Sequence, residues 1–176
     1  MTLPLLPGDY APDDTPTAAE LNAMLAHLRA ANVEQYNTIV ARTTLVQAIS
    51  TGTVTPISWQ VALSGRNGMG WSVGVPTRLT VPSGGGGLWE FVTCLRFANI
   101  ATGYRIVQLR VDGATTHPGD NTVGSAAVFG EMTSMWHLDL TAGQYVEILV
   151  WQNSGGTVNL DVAGIAPQCS ARRIAL

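Results

Sequence analysis

The sequence predicts a mainly β protein: a jelly-roll β-sandwich of eight to ten antiparallel strands, preceded by an extended arm and one α-helix. Three observations predict it. From Thr43 onward apolar and polar residues alternate with period two, the spacing of strands with distinct faces. Turn residues punctuate that stretch every eight to fifteen positions, the rhythm of short strands in a sandwich or barrel. The one helical pattern lies ahead of it, so no crossover helices separate the strands.

Residues 1–16 read as the arm. Pro4, Pro7, Pro12 and Pro16 fix φ and remove backbone donors, which forbids a continuous helix. Residues 17–42 read as the helix. Thr17-Ala18-Ala19-Glu20 is a capping box, in which the Thr17 hydroxyl takes the Glu20 N–H and the Glu20 carboxylate reaches back. Good helix formers follow. Leu21, Leu25, Leu28, Asn32, Gln35 and Ile39 alternate four and three apart, a heptad seam with two polar layers. Two arrangements suit it: a coiled-coil stalk, or an amphipathic helix packed on a neighbouring surface.

The jelly-roll head is assigned to residues 43–176. Its clearest strands are expected at 88–98, 104–112, 134–140, 144–152 and 157–163, with weaker ones at 43–50, 53–63, 77–82, 123–131 and 171–176. In 88–98, Trp89, Phe91, Thr93, Leu95 and Phe97 share one face and are assigned to the core, because aromatic rings bury the most area. Glu90, Val92, Cys94 and Arg96 share the other, which faces solvent or a subunit. In 144–152, Val146, Ile148 and Val150 oppose Tyr145, Glu147, Leu149 and Trp151. A strand apolar on both sides is either central or covered by a partner, so Tyr145, Leu149 and Trp151 join the helix seam as expected interface residues.

Composition points the same way. The chain of 176 residues is 46% hydrophobic and 12% charged, against about 25% charged in ordinary soluble domains. A surface so poor in charge is expected to be covered by other subunits. Net charge is −3 and all nine basic residues are Arg, with no basic footprint for nucleic acid. No apolar run approaches the ~20 residues of a membrane-spanning helix, and the first residues lack the basic start of a signal peptide. Cys94 and Cys169 stand in no metal or redox spacing and read as small buried thiols.

Four segments, in order, resemble the jelly-roll heads of the complement and tumour-necrosis-factor type. Gly87-Leu88-Trp89-Glu90-Phe91 is similar to that family's G-L-Y-x-F/V strand. Arg105–Gly113 is similar to the next strand, which ends in N-G. Leu140–Ile148 is similar to its L-x-A-G-D-x-V-x-L segment. Gln152-Asn153-Ser154-Gly155-Gly156 is similar to its Q-x-S-G-G turn. The match covers roughly residues 75–176. This chain departs from the pattern with Gln144 for Asp, Asp112 for Asn and Trp89 for Tyr. Upstream, Thr17–Ala23 resembles the L-T-A-A-x-L-N start of tail-fibre and decoration-type proteins of tailed bacteriophages. Together the resemblances imply a ten-stranded head that forms a compact homotrimer on a virion, with no catalytic residues.

Other chemistry is weakly signalled. His137 and Asp139 share one strand face but lack a third metal ligand, and His27 and His117 stand in no ligand spacing. Asp112, Asp120 and Asn121 are placed in loops, but their spacing fits no calcium loop. Ser125, Ser134 and Ser154 have no base partner, and no nucleophile elbow or phosphate loop occurs. Trp59, Trp71, Trp136 and Trp151 could form a sugar platform. Trp136 is expected in the core, and Trp71, between Gly70 and Ser72, is the best exposed candidate. The expected protein is therefore a non-enzymatic trimer without cofactor or metal, anchored to capsid or tail proteins by residues 1–42. The alternative is a tail-tip protein that recognises a host glycan.

Overall fold

The computed structural model describes residues 17, 19, 21, 22, 37–66, 68–124, 130–164 and 166–175. The chain divides into two units, residues 1–35 and 36–176. In the first, the Leu21 N–H donates to the Thr17 carbonyl at 3.0 Å. This is a single bond of helical type, and no helix element is completed among the described residues. Leu25, Leu28, Asn32 and Gln35, and with them most of the expected seam and the arm, lie outside the described residues.

The end of the expected helix is corrected. Asn37–Ala41 is strand β1, so Ile39 belongs to a sheet. The β-branched run Thr38-Ile39-Val40 suits a pleated surface. It pairs on one side with Gln168–Ala175 and on the other with Val61–Arg66, which buries Val40 and Ala41 completely.

The second unit is a sandwich of two antiparallel sheets containing thirteen strands among the described residues. After β1 come β2 (Gln47–Ile49), β3 (Thr55–Pro56), β4 (Val61–Arg66), β5 (Gly70–Ser72), β6 (Val75–Thr80) and β7 (Gly87–Phe97). There follow β8 (Tyr104–Val111), β9 (Thr115–Val123), β10 (Gly130–Leu140), β11 (Tyr145–Gln152), β12 (Val158–Leu160) and β13 (Gln168–Ala175). One sheet runs β2-β12-β7-β13-β1-β4, with β10 along the free side of β7. The other runs β5-β6-β11-β8-β9, with β3 also on β11.

The core lies between the inner faces. One sheet supplies Val40, Trp89, Phe91, Leu95, Phe97, Met132 and Trp136; the other supplies Leu79, Val107, Leu109, Val146, Ile148 and Val150. The expected two faces of β7 are present: its aromatic side is buried and Glu90, Val92, Cys94 and Arg96 are only half-buried. β11 is apolar on both faces because it is central. β8 pairs on one side, and β6 and β3 share the other.

β9 occupies 115–123, earlier than the expected strand at 123–131. His117-Pro118-Gly119 reads as a turn, yet β9 is the sheet edge, where a missing N–H is tolerated. Register slips opposite Val107, a bulge that takes up the extra residue. Asp120 and Asn121 are therefore strand residues and not loop residues. Trp136 donates its indole N–H to the Pro118 carbonyl at 2.8 Å. The Asp120 N–H donates to the Ser134 hydroxyl at 2.8 Å. These bonds join the edge of one sheet to the edge of the other.

Candidate functional site

Two outward surfaces concentrate side chains with binding chemistry. The first lies on the seven-stranded sheet. Register places Met135 opposite Val92, Val92 opposite Ser170, and Ser170 opposite Ile39. One row therefore crosses β10, β7, β13 and β1. Met135 is 59% exposed, and Val92, Ser170 and Ile39 are half-buried. The row above it reads His137, Glu90, Arg172 and Asn37. There Arg172 Nε donates to Glu90 at 2.6 Å, and His137 Nε2 lies 3.2 Å from the other carboxylate oxygen. The hydrogen bonds from Arg172 and His137 hold the Glu90 carboxyl below its ordinary range. Glu90 in turn raises the Arg172 guanidinium. The row below carries Thr133, Cys94 and Gln168. An apolar stripe thus runs between polar ones, the layout of an interface core with its rim.

The cysteines are not bonded. Cys169 stands opposite Thr93 and Cys94 opposite Gln168, so adjacent strands point the thiols to opposite faces. Burial pushes the Cys169 thiol up to about 12.

The second surface is on the six-stranded sheet. Gly70, Trp71, Ser72, Arg78, Thr80 and Tyr145 line an open concavity of about 380 Å³. Trp71 packs against the core and donates its indole N–H to the Pro76 carbonyl at 3.1 Å. The Arg78 guanidinium lies 4.0 Å from the centre of the Tyr145 ring, a cation–π contact. Its Nε lies 3.5 Å from Glu147. Arg110 donates hydrogen bonds to Glu147, at 2.7 and 3.2 Å, and the Thr77 hydroxyl donates at 3.0 Å. Burial alone would raise the Glu147 carboxyl. The hydrogen bonds from Arg110 and Thr77 and the charges of Arg110 and Arg78 outweigh it, and the net direction is down.

The expected site residues separate accordingly. Trp71 and Tyr145 meet at the concavity. Trp151 is half-buried. Leu149 is corrected: it is 2% exposed, so its own chain covers it and it offers no surface to a partner. Leu21 is 48% exposed. Ile39 contributes from a strand and not from a helix. Trp59 and Trp136 are core residues. Among the described residues no three His, Cys, Asp or Glu side chains gather as a metal site. Asp112 spends its carboxylate on the Tyr145 N–H and the Gln144 amide, each at 2.9 Å. Sequence reasoning missed Arg78 and Met135. Both fall within strands the period-two pattern expects, but register across strands decides which neighbours they meet.

No family model and no curated protein matches this chain. Solved structures do match. Murine APRIL at pH 5.0 superposes with a TM-score of 0.56 at 12% identity, over 80% of this chain and 99% of that one. The globular domain of the zebrafish complement 1qA protein gives 0.54 at 14%, over 78% and 96%. The Eiger TNF of S. frugiperda gives 0.57 at 12%, over 81% and 94%. At such identities the likeness establishes the fold: an antiparallel jelly-roll sandwich of the tumour-necrosis-factor and complement type.

Proposed function

We propose that this chain is a non-enzymatic structural protein of a tailed-phage virion, a homotrimeric decoration protein held on the capsid surface by its N-terminal residues. The observation that carries the trimer is the row Met135, Val92, Ser170 and Ile39 between two polar rows. It is an outward sheet face whose apolar side chains no other strand covers among the described residues. Low charge density over the whole sequence and the resemblance of the head to a trimeric family support the same reading. The virion assignment rests on the resemblance of Thr17–Ala23 to phage tail-fibre and decoration-type starts. Three linked copies multiply weak attachments through effective concentration.

Light scattering of the purified chain at micromolar concentration tests the trimer, which requires three times the 18.6 kDa of one chain. A stable monomer defeats it. Copy number tests the location: decoration requires many copies per particle and fragile particles when the protein is removed. The anchor is tested by Leu28→Asp, which should abolish incorporation or trimer formation.

A second reading is favoured by the concavity at Trp71 and Arg78. As a tail-tip protein the trimer would recognise a host surface glycan there. That role requires few copies per particle and a purified head that blocks adsorption.

A further inference from the structure

We infer that the concavity on the six-stranded sheet binds a carboxylated sugar residue, with Arg78 clamping the carboxylate and Trp71 supporting the ring. The inference rests on the second reading above and gives that site its ligand class. Arg78 is held on two sides. Its flat face is taken by the Tyr145 ring at 4.0 Å, and its Nε side by Glu147 at 3.5 Å. The two terminal nitrogens make no hydrogen bond among the described residues, and the side chain is 43% exposed. What remains is a fixed, solvent-facing fork whose two parallel N–H groups match a carboxylate.

The local charge asks for an anion. Arg78 and Arg110 converge on one carboxylate, Glu147, which leaves one positive charge in a chain of net charge −3. Glu147 accepts two hydrogen bonds from Arg110 and one from Thr77 and meets Arg78 only at its Nε, so the terminal fork of Arg78 stays open. Trp71 supplies the second element. The Pro76 carbonyl fixes its indole N–H, so the ring is oriented before any ligand arrives, which lowers the cost of binding. Ser72 and Thr80 also line the wall and carry hydroxyls of the kind that bond sugar hydroxyls. About 380 Å³ lies at the small end of ligand clefts, room for one or two sugar rings.

The test is calorimetric titration of the full chain with two matched pairs: trigalacturonic acid against its methyl ester, and N-acetylneuraminic acid against its methyl ester. Each ester keeps the ring and removes the charge. At least one acid should bind at least tenfold more tightly than its ester. Arg78→Gln should erase that preference, since Glu147 keeps Arg110 and the fold is retained. Trp71→Ala should abolish binding of acid and ester together. Ser72→Trp, which fills the concavity from an exposed position, should block binding without changing the melting temperature. Equal binding of acid and ester, a preference that survives Arg78→Gln, or no binding in either pair at millimolar concentration overturns the inference. Adsorption blocking by the purified chain alongside equal acid and ester binding would keep the receptor reading and remove this ligand.

Discussion

Single residues carry more of this fold than their motifs suggest. Gln152 opens the Q-x-S-G-G turn and is completely buried. Its amide nitrogen donates to the Ile49 and Gly156 carbonyls at 2.9 and 2.7 Å, and its oxygen accepts from the Ser154 N–H and hydroxyl at 2.7 Å each. The glutamine is required because one side chain must donate twice and accept twice. Gln152→Leu should cost about 3 kcal/mol, since each buried group left unpaired costs about 1–3 kcal/mol; a lowered urea midpoint at unchanged slope would register it. Two departures from the family pattern explain each other in the same way. Asp112 and Gln144 are hydrogen-bonded at 2.9 Å, so Asp-with-Gln keeps one acceptor and one donor where the pattern has Asn with Asp. Gln144→Asp alone should lose about 1 kcal/mol by facing two carboxylates. Adding Asp112→Asn should restore it, and a thermal-denaturation cycle of the four proteins reads the coupling. Asp112 has φ of 49°, a left-handed conformation that Asn also accepts. Glu147 adds a pH dependence. Its folded-state carboxyl is depressed, so its contribution is present above the ordinary carboxylate range and is lost as pH falls through the folded value. Acid titration of stability should therefore flatten in Glu147→Gln.

Elements show where period-two reading works and where it stops. β7, β8 and β11 were legible because each has a core face of large apolar residues at alternate positions. β10 began earlier than expected, since Gly130–Thr133 pairs with the far end of β7, a long-range fact that no local window carries. The residues of β1 follow directly on a helical pattern, so local sequence predicts helix there. Pairing on both sides overrode that propensity, as packing commonly does. β9 was missed because Pro118 and Gly119 signal a turn. The bulge that admits them lies beside Trp136 of the other sheet, which bonds the Pro118 carbonyl. A Cβ at Gly119 would lie 2.5 Å from the Trp136 ring and 2.7 Å from the Val107 carbonyl. Gly119→Ala should therefore displace the indole, break its bond to Pro118 and cost about 2–3 kcal/mol. Loss of native near-ultraviolet circular dichroism from the tryptophan, with the sheet signal retained, would show that the damage is local. The concavity was half legible. Trp71 stood out between Gly70 and Ser72, whereas Arg78 acquires its role only from Tyr145 and Glu147, more than sixty positions away.

At the scale of the whole molecule, the two outward faces differ in chemistry. The six-stranded sheet presents a charged, concave surface suited to a small polar ligand. The seven-stranded sheet presents a low row of Met135, Val92 and Ile39 with Glu90, Arg172 and His137 beside it, which suits a protein partner. Burying such a row in an assembly yields about 25 cal/mol per Å² of apolar surface, and a stable interface buries roughly 800 Å² per partner. The row alone is too small for that, so the polar rows must be included and their charges must stay paired. Val92→Glu tests this arrangement with little risk to the fold, because Val92 faces away from the core. The new carboxylate would sit between Met135 and Ser170, two residues from Glu90 on the same face. Desolvating it without a partner is costly, so the proposed trimer should dissociate to monomer while circular dichroism and core packing stay unchanged. Val92→Ile, of similar shape, should leave the assembly intact. An unaltered scattering mass for Val92→Glu would move the subunit contact off this sheet and leave the remaining surfaces, with the concavity among them, to account for it.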